Sequence, residues 1–393
     1  MPGWGLVLMI KSLRVKNFLS LRDVELELHH RNVLIGPNMS GKSNLIDALK
    51  FLGQLATTGL RDALFVNRGG HREVAWKGAD DPVISLGVTL ELKDENSPPR
   101  IFDYDVSITG SLVEDRVAIS SEKLTVSEDG GKRSLLSMSN AEGQADYGQG
   151  LKGVRVQAEQ TGLEAYSIPG SDLALVRTMI SSCRFYHLIP QLMRRGNAPT
   201  PQRFLDEIGT NFASWMMTLQ TSPDEFKRIS SVAGEVLPGL GDLLIQPSQA
   251  ASVSISAREK FLKRPVSMLR MSDGELAFLA LLSVILAPPE LGAPLFCIEE
   301  PESHLHPRLL ETLIEVLDQR QQELGPHAAQ IIATTHSPLL VDKLRIEDLL
   351  VVEKSDGESK FSRPCSDRHL QDLLKRKELG LGDLWYSGAL SST

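Results

Sequence analysis

The sequence contains few cysteines, and they form no pattern. Cys183, Cys297 and Cys365 are far apart, with no CxxC pair and no even number that could build a disulfide framework. We therefore interpret all three as reduced thiols, which predicts a cytoplasmic protein.

Long hydrophobic runs are also missing. No apolar stretch reaches the roughly 18 to 20 residues that a membrane-spanning helix needs, and the opening MPGWGLVLM lacks the basic region of a secretory signal. We therefore expect no membrane partner. Met9 begins MIKSLRVKNF, a more natural start for a strand, so we interpret residues 1–8 as an extension or as an artefact of the assigned start site.

An excess of positive charge is absent, because the formal net charge is -8. Nucleic-acid binding follows the distribution of charge rather than its total, so local clusters still matter. Two such clusters are LMRRGNAPTPQR at 192–203 and LLKRK at 373–377. Most runs of this kind are solvated faces, and DNA is a candidate partner on this ground alone.

The order of the elements predicts the fold class. An apolar strand, NVLIG at 32–36, leads through a glycine loop into a helix, and from residue 272 helices and strands alternate. This pattern is typical of an α/β protein with a largely parallel sheet. The alternation of apolar and polar residues in VELEL at 24–28 predicts a half-buried strand, and we expect the parallel layer to begin near residue 24.

The residues between these two α/β segments differ in character. Strict alternation over 81–140 predicts an antiparallel sheet, 127–165 is polar and rich in Gly and Ser and is expected to be mobile, and 166–245 is expected to be helical. We therefore divide the chain into 1–60, the first part of the core, 61–265, an inserted β-rich and then helical region, and 266–393, the second part of the core.

The stretch GPNMSGKS matches G-x-x-x-x-G-K-[ST] at every fixed position, with a strand before it and an amphipathic helix after it. Glycines let backbone N–H groups close around a phosphate, and the helix N-terminus favours negative charge. The motif predicts a nucleotide-binding P-loop. Lys42 is expected to reach the β- and γ-phosphates and Ser43 to ligate Mg²⁺.

Two further strands end in polar residues. PLFCIEE delivers Glu299 and Glu300 at the end of a strand, and their side chains should face different ways. We predict that Glu299 holds Mg²⁺ and that Glu300 accepts a proton from the attacking water. IIATTH ends at His336, at the edge of the sheet where ligands bind in open α/β folds, which indicates a sensor of the γ-phosphate.

Two other features have two interpretations each. Ser272 and Glu275, in MSDGE, fit the capping box that begins an ordinary helix, although the same letters are also typical of half of a nucleotide site. His304 and His306 suggest a metal site, but they lie two residues apart in a turn bounded by prolines, which disfavours that interpretation.

These motifs, in this order, resemble those of ABC-class P-loop ATPase heads of the SMC, RecF and OLD families, and above all the smaller AAA-type ATPases without long coiled coils. MIKSLRVKNF, MSDGE, IEEPESHLHP, TTHSP and LGDLWYSGAL are typical of that group. The resemblance implies an ABC/SMC-type α/β head with an antiparallel β subdomain and an inserted helical subdomain. It also implies hydrolysis of ATP with Mg²⁺ in a homodimer that encloses two ATP molecules head to tail.

The resemblance also implies the site residues. Met39, Asp273 and Glu299 depart from the commonest residues of the group, and Gln191 is our candidate for the glutamine that links the two lobes. The implied set is Gly36, Asn38, Gly41, Lys42, Ser43 and Asn44 for ATP, with Ser272, Gly274 and Glu275 contacting the ATP of the other subunit, Ser43 and Glu299 for Mg²⁺, and Glu300 and His336 for catalysis.

An ATP-driven switch in DNA repair and maintenance or in anti-phage defence is the function that the resemblance implies. One alternative is a regulatory ATPase subunit whose effector, a nuclease or toxin, is a separate protein, because the sequence after TTHSP is too short for a nuclease domain. A transporter subunit is a further alternative, which the missing membrane span and the long insertion disfavour.

Overall fold

A computed structural model describes residues 6–94, 97–111, 116–128, 130–248, 252–364 and 380–386. The strands form one sheet of six, one of eight and one of three. The six-stranded sheet consists of β3 (Arg31–Ile35), β10 (Arg184–Tyr186), β14 (Leu295–Glu299), β15 (Gln330–Thr335), β16 (Leu349–Ser355) and β17 (Glu358–Ser362).

This sheet has the order β10-β14-β15-β3-β16-β17 and is parallel except for β17, which pairs antiparallel with β16 at one edge. Every residue of β3 and β15 is buried. Central strands of a parallel sheet are covered on both faces, so that even polar residues of these strands, such as Asn32 and Gln330, are buried. The predicted parallel α/β core is confirmed.

The eight-stranded sheet is antiparallel throughout. Its order is β2-β1-β4-β5-β6-β7-β8-β9. The strands are β1 (Leu6–Phe18), β2 (Leu21–Glu27), β4 (Ile84–Asp94), β5 (Ser97–Gly110), β6 (Val117–Glu128), β7 (Gly131–Ser139), β8 (Glu142–Asp146) and β9 (Leu151–Arg155).

Two expectations about this sheet were wrong. The parallel layer does not begin near residue 24, because β2 folds back on β1 and pairs with it antiparallel, with Val24 opposite Val15. Residues 127–165 are not a mobile segment, since they contain β7, β8 and β9. Their few apolar side chains, among them Leu136, Met138 and Ala145, are buried in the hydrophobic core. This burial stabilises the paired strands although most of the sequence is polar.

The third sheet contains β11 (Leu240–Ser248), β12 (Ser252–Glu259) and β13 (Val266–Ser267), in that order. The helices of the described ranges are α1 (Lys42–Leu55), α2 (Gly59–Arg61), α3 (His71–Val74), α4 (Gly162–Tyr166), α5 (Asp172–Ser181), α6 (Pro190–Met193), α7 (Phe212–Leu219), α8 (Pro223–Val236), α9 (Asp273–Ile285), α10 (Pro307–Leu324) and α11 (Pro338–Val341), with a last helix at Leu381–Tyr386. A π-helical turn covers Asp62–Val66, and short 3-10 turns cover Met268–Arg270 and Pro301–His304.

Two hydrophobic cores lie on opposite faces of the parallel sheet. Alternate side chains of a strand point to opposite faces. In β3, Leu34 joins the core that contains α1, α5 and the antiparallel sheet, whereas Val33 and Ile35 join the core that contains α7, α9 and α10. The helix after the P-loop and the helix after MSDGE therefore belong to different faces of one sheet.

Two observations concern the predicted environment of the chain. Among the residues that the structure describes, no helix has the length and apolar character needed to cross a membrane. Cys183 and Cys297 are buried free cysteines. Burial raises the pKa of the Cys183 thiol to about 12 and also raises the pKa of Cys297, so neither is a reactive thiolate. Cys365 lies outside the described residues.

Candidate nucleotide-binding site

The P-loop connects β3 to α1 and ends in a left-handed glycine. Gly41 has φ 108, and a Cβ atom placed on it would lie 1.9 Å from Ser359 Oγ, so that no other residue fits there. The first turn of α1 has neither a side-chain cap nor an acidic residue. Its first N–H groups therefore lack partners within the helix and form a favourable site for an anion.

The Lys42 side chain is folded into this loop. It is 5% exposed, and its Nζ donates hydrogen bonds to the carbonyl oxygens of Gly36 and Pro37, both at 2.9 Å. Burial lowers the pKa of Lys42 below its usual value, although the carboxylates of Glu300 and Glu302 act to raise it. A phosphate beside Lys42 would offset this desolvation, because an opposite charge favours the protonated amine.

Two serines, which no sequence motif indicated, stabilise the P-loop by hydrogen bonds. Ser359, in β17, donates from Oγ to the Ser40 carbonyl oxygen at 2.6 Å, and its Oγ lies 2.6 Å from Ser20 Oγ. Asn44 donates from Nδ2 to the same Ser20 oxygen, also at 2.6 Å. The Asn44 side chain thus anchors the loop, and only its backbone N–H, in the first turn of α1, is placed to contact a phosphate.

Met39 occupies the position where related ATPases often have glycine. Its φ is 64, in the left-handed region, and its side chain is 85% exposed. A side chain in this conformation costs about 1 kcal/mol relative to glycine. The loop therefore keeps this backbone conformation with methionine at position 39, at the cost of a small local strain.

Glu299 lies beside Ser43 at the phosphate end of the loop. The Ser43 hydroxyl donates to Glu299 Oε2 at 2.6 Å, although the two residues come from α1 and β14. A hydroxyl and a carboxylate oxygen are hard ligands of the kind that Mg²⁺ takes together with phosphates and waters. Ser43 and Glu299 therefore fit the predicted role of Mg²⁺ ligands. Two protein ligands are sufficient, because phosphates and waters supply the others.

Glu300 follows the strand in a left-handed conformation, with φ 43 and ψ 58. Its N–H donates to the Thr334 carbonyl oxygen at 3.1 Å, with Thr334 Oγ1 at 3.2 Å, which fixes this strained backbone against β15. The carboxylate turns away from Ser43, so that Oε1 lies 3.4 Å from His336 Nε2. Glu299 and Glu300 thus face different partners, and strain of this kind is often retained at functional sites.

Glu302 is a third carboxylate that sequence reasoning missed. Its Oε1 accepts hydrogen bonds from the N–H of His336 at 2.8 Å and from Thr335 Oγ1 at 2.7 Å. It therefore ties the turn after β14 to the end of β15. The sequence contains one indication of this role, a carboxylate in PES of IEEPESHLHP, two residues after the expected base Glu300.

His336 is predominantly neutral at neutral pH. Burial is the largest cause that lowers the pKa of its imidazole below the usual value, and the charge of Lys42 adds to it, while Glu300 and Glu302 oppose the shift. A neutral imidazole keeps one N–H, which can donate a hydrogen bond to a phosphate oxygen.

The lowered pKa gives a direct test by NMR. We expect the His336 ring resonance in the nucleotide-free protein to titrate with a midpoint below 6.5, since the charged form is disfavoured. The same shift means that the contribution of His336 to folding stability is complete above pH 6.5 and is lost as the pH falls below it. A spectrum of His336→Gln identifies the signal, and a midpoint above 6.5 would contradict the assignment.

Ser272 begins α9, as the capping interpretation predicted. Its Oγ accepts from the Glu275 N–H at 3.2 Å, and its own N–H donates to Glu275 Oε2 at 2.6 Å, which completes a capping box. The helix behind it is buried along most of its length. Nine of its thirteen residues, from Leu276 to Val284, are buried. This end of the helix is therefore rigidly placed.

Gly274 is pressed against the turn that follows Glu300. A Cβ atom on Gly274 would lie 2.8 Å from the His304 carbonyl oxygen. Replacing glycine by alanine inside a helix normally stabilises by about 0.5–1 kcal/mol. Here we expect the opposite sign, a loss of about 1–3 kcal/mol, because the added methyl group must displace backbone.

Urea unfolding of Gly274→Ala tests this expectation. Gly153→Ala is the matched control, because a Cβ atom at Gly153 meets nothing within 4 Å. If Gly274→Ala proves more stable than the parent protein, then the close approach of α9 to His304 is wrong.

Gln191 lies beside MSDGE, residues 271–275, which we call the signature, rather than beside Ser43 and Glu299. It follows β10, the edge strand of the parallel sheet, and its Nε2 donates to Asp273 Oδ2 at 2.6 Å. Arg194 lies 2.5 Å from the other Asp273 oxygen and donates to the Met271 carbonyl oxygen. Gln191 therefore joins the sheet edge to α9, while its predicted role as the lobe-linking glutamine remains a prediction.

The other sequence candidates are less well supported. In the basic cluster 192–203, Arg194 is already paired with Asp273, and Arg203 lies over the Phe204 ring. The cluster 373–377 lies outside the described residues. No group of three or more His, Cys, Asp or Glu side chains that could hold a metal ion occurs in the described part of the chain, and His306 Nδ1 instead accepts from the Arg308 N–H.

The structure thus brings most predicted site residues together and leaves four apart, Gln191 beside Asp273 and three at the start of α9. Lys42, Ser43, Glu299, Glu300 and His336 form one cluster at the carboxyl ends of β3, β14 and β15. Asn38 is exposed at the rim of the loop. The remaining three, Ser272, Gly274 and Glu275, start a helix of the opposite core, and among the described residues no hydrogen bond or ion pair connects them to the P-loop.

Two family models and one curated protein match parts of the chain. Residues 9–126 match a family model described as "AAA ATPase domain", and residues 201–342 match one described as "AAA domain, putative AbiEii toxin, Type IV TA system". The chain is 30% identical over 112 residues to the "Retron Vc95 probable ATPase" of Vibrio cholerae serotype O1 biovar El Tor. That match spans 26% of this chain and 21% of the relative.

Solved structures show the same fold. An Smc head bound to the C-winged helix domain of ScpA has a TM-score of 0.54 and 17% identity, with 90% of this chain and 96% of that one covered. An Smc head with an extended coiled coil, bound to the C-terminal domain of ScpA from Pyrococcus furiosus, has a TM-score of 0.55 and 14% identity, with 94% and 100% covered. These likenesses show that the chain has the fold of an Smc head.

Proposed function

We propose that the protein is an ATP-driven switch in which two copies dimerise head to tail around two ATP–Mg²⁺ and separate after hydrolysis. The carrying observation is the placement of the P-loop and the MSDGE helix against opposite faces of one sheet, with no polar contact between them in the described residues. A nucleotide held at Lys42 would therefore meet the signature of a second copy. ATP acts as a switch if it binds the closed dimer better than the open state.

The residues of one chain divide the work. Bound ATP–Mg²⁺ supplies the transferable phosphoryl group and a cation that neutralises its charge. Lys42 and the first N–H groups of α1 would hold the phosphates, while Ser43 and Glu299 would hold the cation. Glu300 takes a proton from the attacking water, which becomes bound to phosphorus as the bond to ADP breaks. His336, oriented by Glu302 and Glu300, hydrogen-bonds the γ-phosphate.

The head-to-tail arrangement gives the signature a defined task. Ser272 and Gly274, at the N-terminal end of α9, would present a hydroxyl, N–H groups and a positive helix end to the γ-phosphate bound by the other copy. The same Ser272 hydroxyl caps its own helix, so that folding and ATP recognition share one side chain. Because Asp273 is paired with Arg194, its negative charge is offset at this end.

For the biological role, we propose DNA maintenance or anti-phage defence, with the effector activity on a separate protein. Support comes from the retron ATPase of Vibrio cholerae and from the family model whose description names a toxin system. The Smc heads of this fold were solved with a domain of another protein bound. A second protein that binds this head would be the corresponding partner, and DNA is a candidate ligand of such a complex.

Phosphate release from ATP, measured with and without Mg²⁺, tests the proposal. We expect hydrolysis that requires Mg²⁺ and is lost in Lys42→Ala, since that change removes the cation that holds the phosphates. The rate per chain should rise with protein concentration, because each site needs two copies. A rate per chain that is independent of concentration, in a protein that stays monomeric with ATP, would contradict the shared site.

A further inference from the structure

The loop between β12 and β13 carries the most exposed large apolar side chain of the described residues. Phe261 is 90% exposed and Leu262 is 50% exposed. The base of the loop is fixed, since the Lys260 N–H donates to the Gly239 carbonyl oxygen at 2.9 Å and the Leu262 N–H donates to the Glu259 carbonyl oxygen at 3.3 Å. The ring is thus held out in solvent by an ordered hairpin.

Positive charge surrounds this ring. Residues 258–270 contain a single acidic residue, Glu259, in a chain whose net charge is -8. The cations of the segment are all exposed, and none takes part in an ion pair with another described residue. They are Arg258, Lys260, Lys263, Arg264 and Arg270. Cations without carboxylate partners are available to an anionic ligand.

We propose that this hairpin, residues 258–270, binds single-stranded nucleic acid. An exposed aromatic ring among unpaired cations is the combination that such ligands require, because bases stack on the ring while the cations neutralise phosphates. Bases of a duplex are already stacked on one another, so stacking on Phe261 favours a single strand, whose bases are accessible. A membrane surface fits less well, because only three large apolar side chains of the segment, Phe261, Leu262 and Leu269, are exposed to enter it.

The hairpin is separate from the nucleotide-binding cluster but continuous with the signature. From the tip, the chain passes through β13 and the 3-10 turn Met268–Arg270 to Ser272. Neither Phe261 nor its neighbouring cations contact the P-loop residues. Changes at the tip should therefore alter nucleic-acid binding and leave basal ATP hydrolysis unchanged.

Fluorescence anisotropy with the full chain tests the inference, using a labelled deoxythymidine oligonucleotide and a duplex of the same length. We expect the single strand to bind more tightly than the duplex. Phe261→Ala should weaken that binding about 5- to 100-fold, as expected for the loss of one stacked base, and Phe261→Trp should retain it. Tyr386→Ala, which removes another 85% exposed ring, is the matched control and should have no effect.

Charge reversal provides an independent measurement. In Lys263→Glu with Arg264→Glu, the slope of log affinity against log salt should fall by about 0.7 for each phosphate that the protein no longer neutralises. Lys123→Glu with Lys227→Glu, two exposed cations elsewhere, should leave the slope unchanged. The inference is overturned if the wild type does not bind the oligonucleotide, prefers the duplex, or binds as tightly after Phe261→Ala. Phe261-dependent binding to anionic lipid vesicles, without oligonucleotide binding, would also overturn it and assign the tip to a membrane.

Discussion

Glu300→Gln is expected to lower ATP hydrolysis by about 10² to 10⁴ and to leave two copies joined around unhydrolysed ATP. The amide cannot take the proton of the attacking water, yet it has nearly the shape of the carboxylate that lies 3.4 Å from His336. Binding of ATP at Lys42 should be retained. The switch would therefore stop in its closed state.

Size-exclusion chromatography with light scattering measures this result. The variant alone should have the 43.2 kDa mass of one chain, and with ATP–Mg²⁺ it should have twice that mass. Glu235→Gln, an exposed carboxylate of α8, is the matched control and should hydrolyse ATP like the wild type. Normal hydrolysis by Glu300→Gln would show that another group accepts the proton, and the assignment of Glu300 would be abandoned.

Ser272→Arg is expected to abolish both ATP-dependent dimerisation and hydrolysis while ATP still binds to the monomer. The long cationic side chain would occupy the end of α9 where the γ-phosphate of the second copy must arrive. Lys42, in the opposite core, is untouched. Nucleotide affinity measured by calorimetry should therefore remain near that of the wild type, whereas scattering should detect monomers only, even when Glu300→Gln is also present.

Ser272→Ala separates the two roles of the serine. The alanine removes the hydroxyl that accepts from the Glu275 N–H, and loss of such a cap costs about 0.5–2 kcal/mol. It adds no bulk or charge. Thermal unfolding of both variants then shows how much of the arginine effect is folding. If Ser272→Arg is unfolded at room temperature, capping was the main role of this residue, and its part in the dimer has no support.

Motifs were predictable from the sequence where the same few residues indicate both a local backbone structure and a chemical role. The P-loop was predictable from GPNMSGKS, because its glycines and lysine stand between an apolar strand and an amphipathic helix, the context in which such a loop forms. The capping box at Ser272 and the strand ends at Glu299 and His336 were equally local, since a few neighbouring letters determine each. These elements gave the parallel core and the cluster around Lys42.

Features that depend on distant partners could not be predicted. The alternation in VELEL predicts a strand but not which sheet it joins, and the turn before Leu21 folds it back onto β1. Ser359 and Ser20 are separated by 339 positions along the sequence and meet only in the folded chain. Glu302 looked like an ordinary turn residue. It accepts a hydrogen bond from the His336 N–H, and His336 follows a different strand, β15.

Mixing two inactive variants tests the shared site most directly. Lys42→Ala has an intact signature but cannot hold ATP, and Ser272→Arg holds ATP but lacks a signature. Head-to-tail pairing of one copy of each creates one complete site, so the mixture should regain part of the ATP hydrolysis that both variants lack alone. Hydrolysis in the mixture no faster than the sum of the separate variants would contradict a site built from two copies.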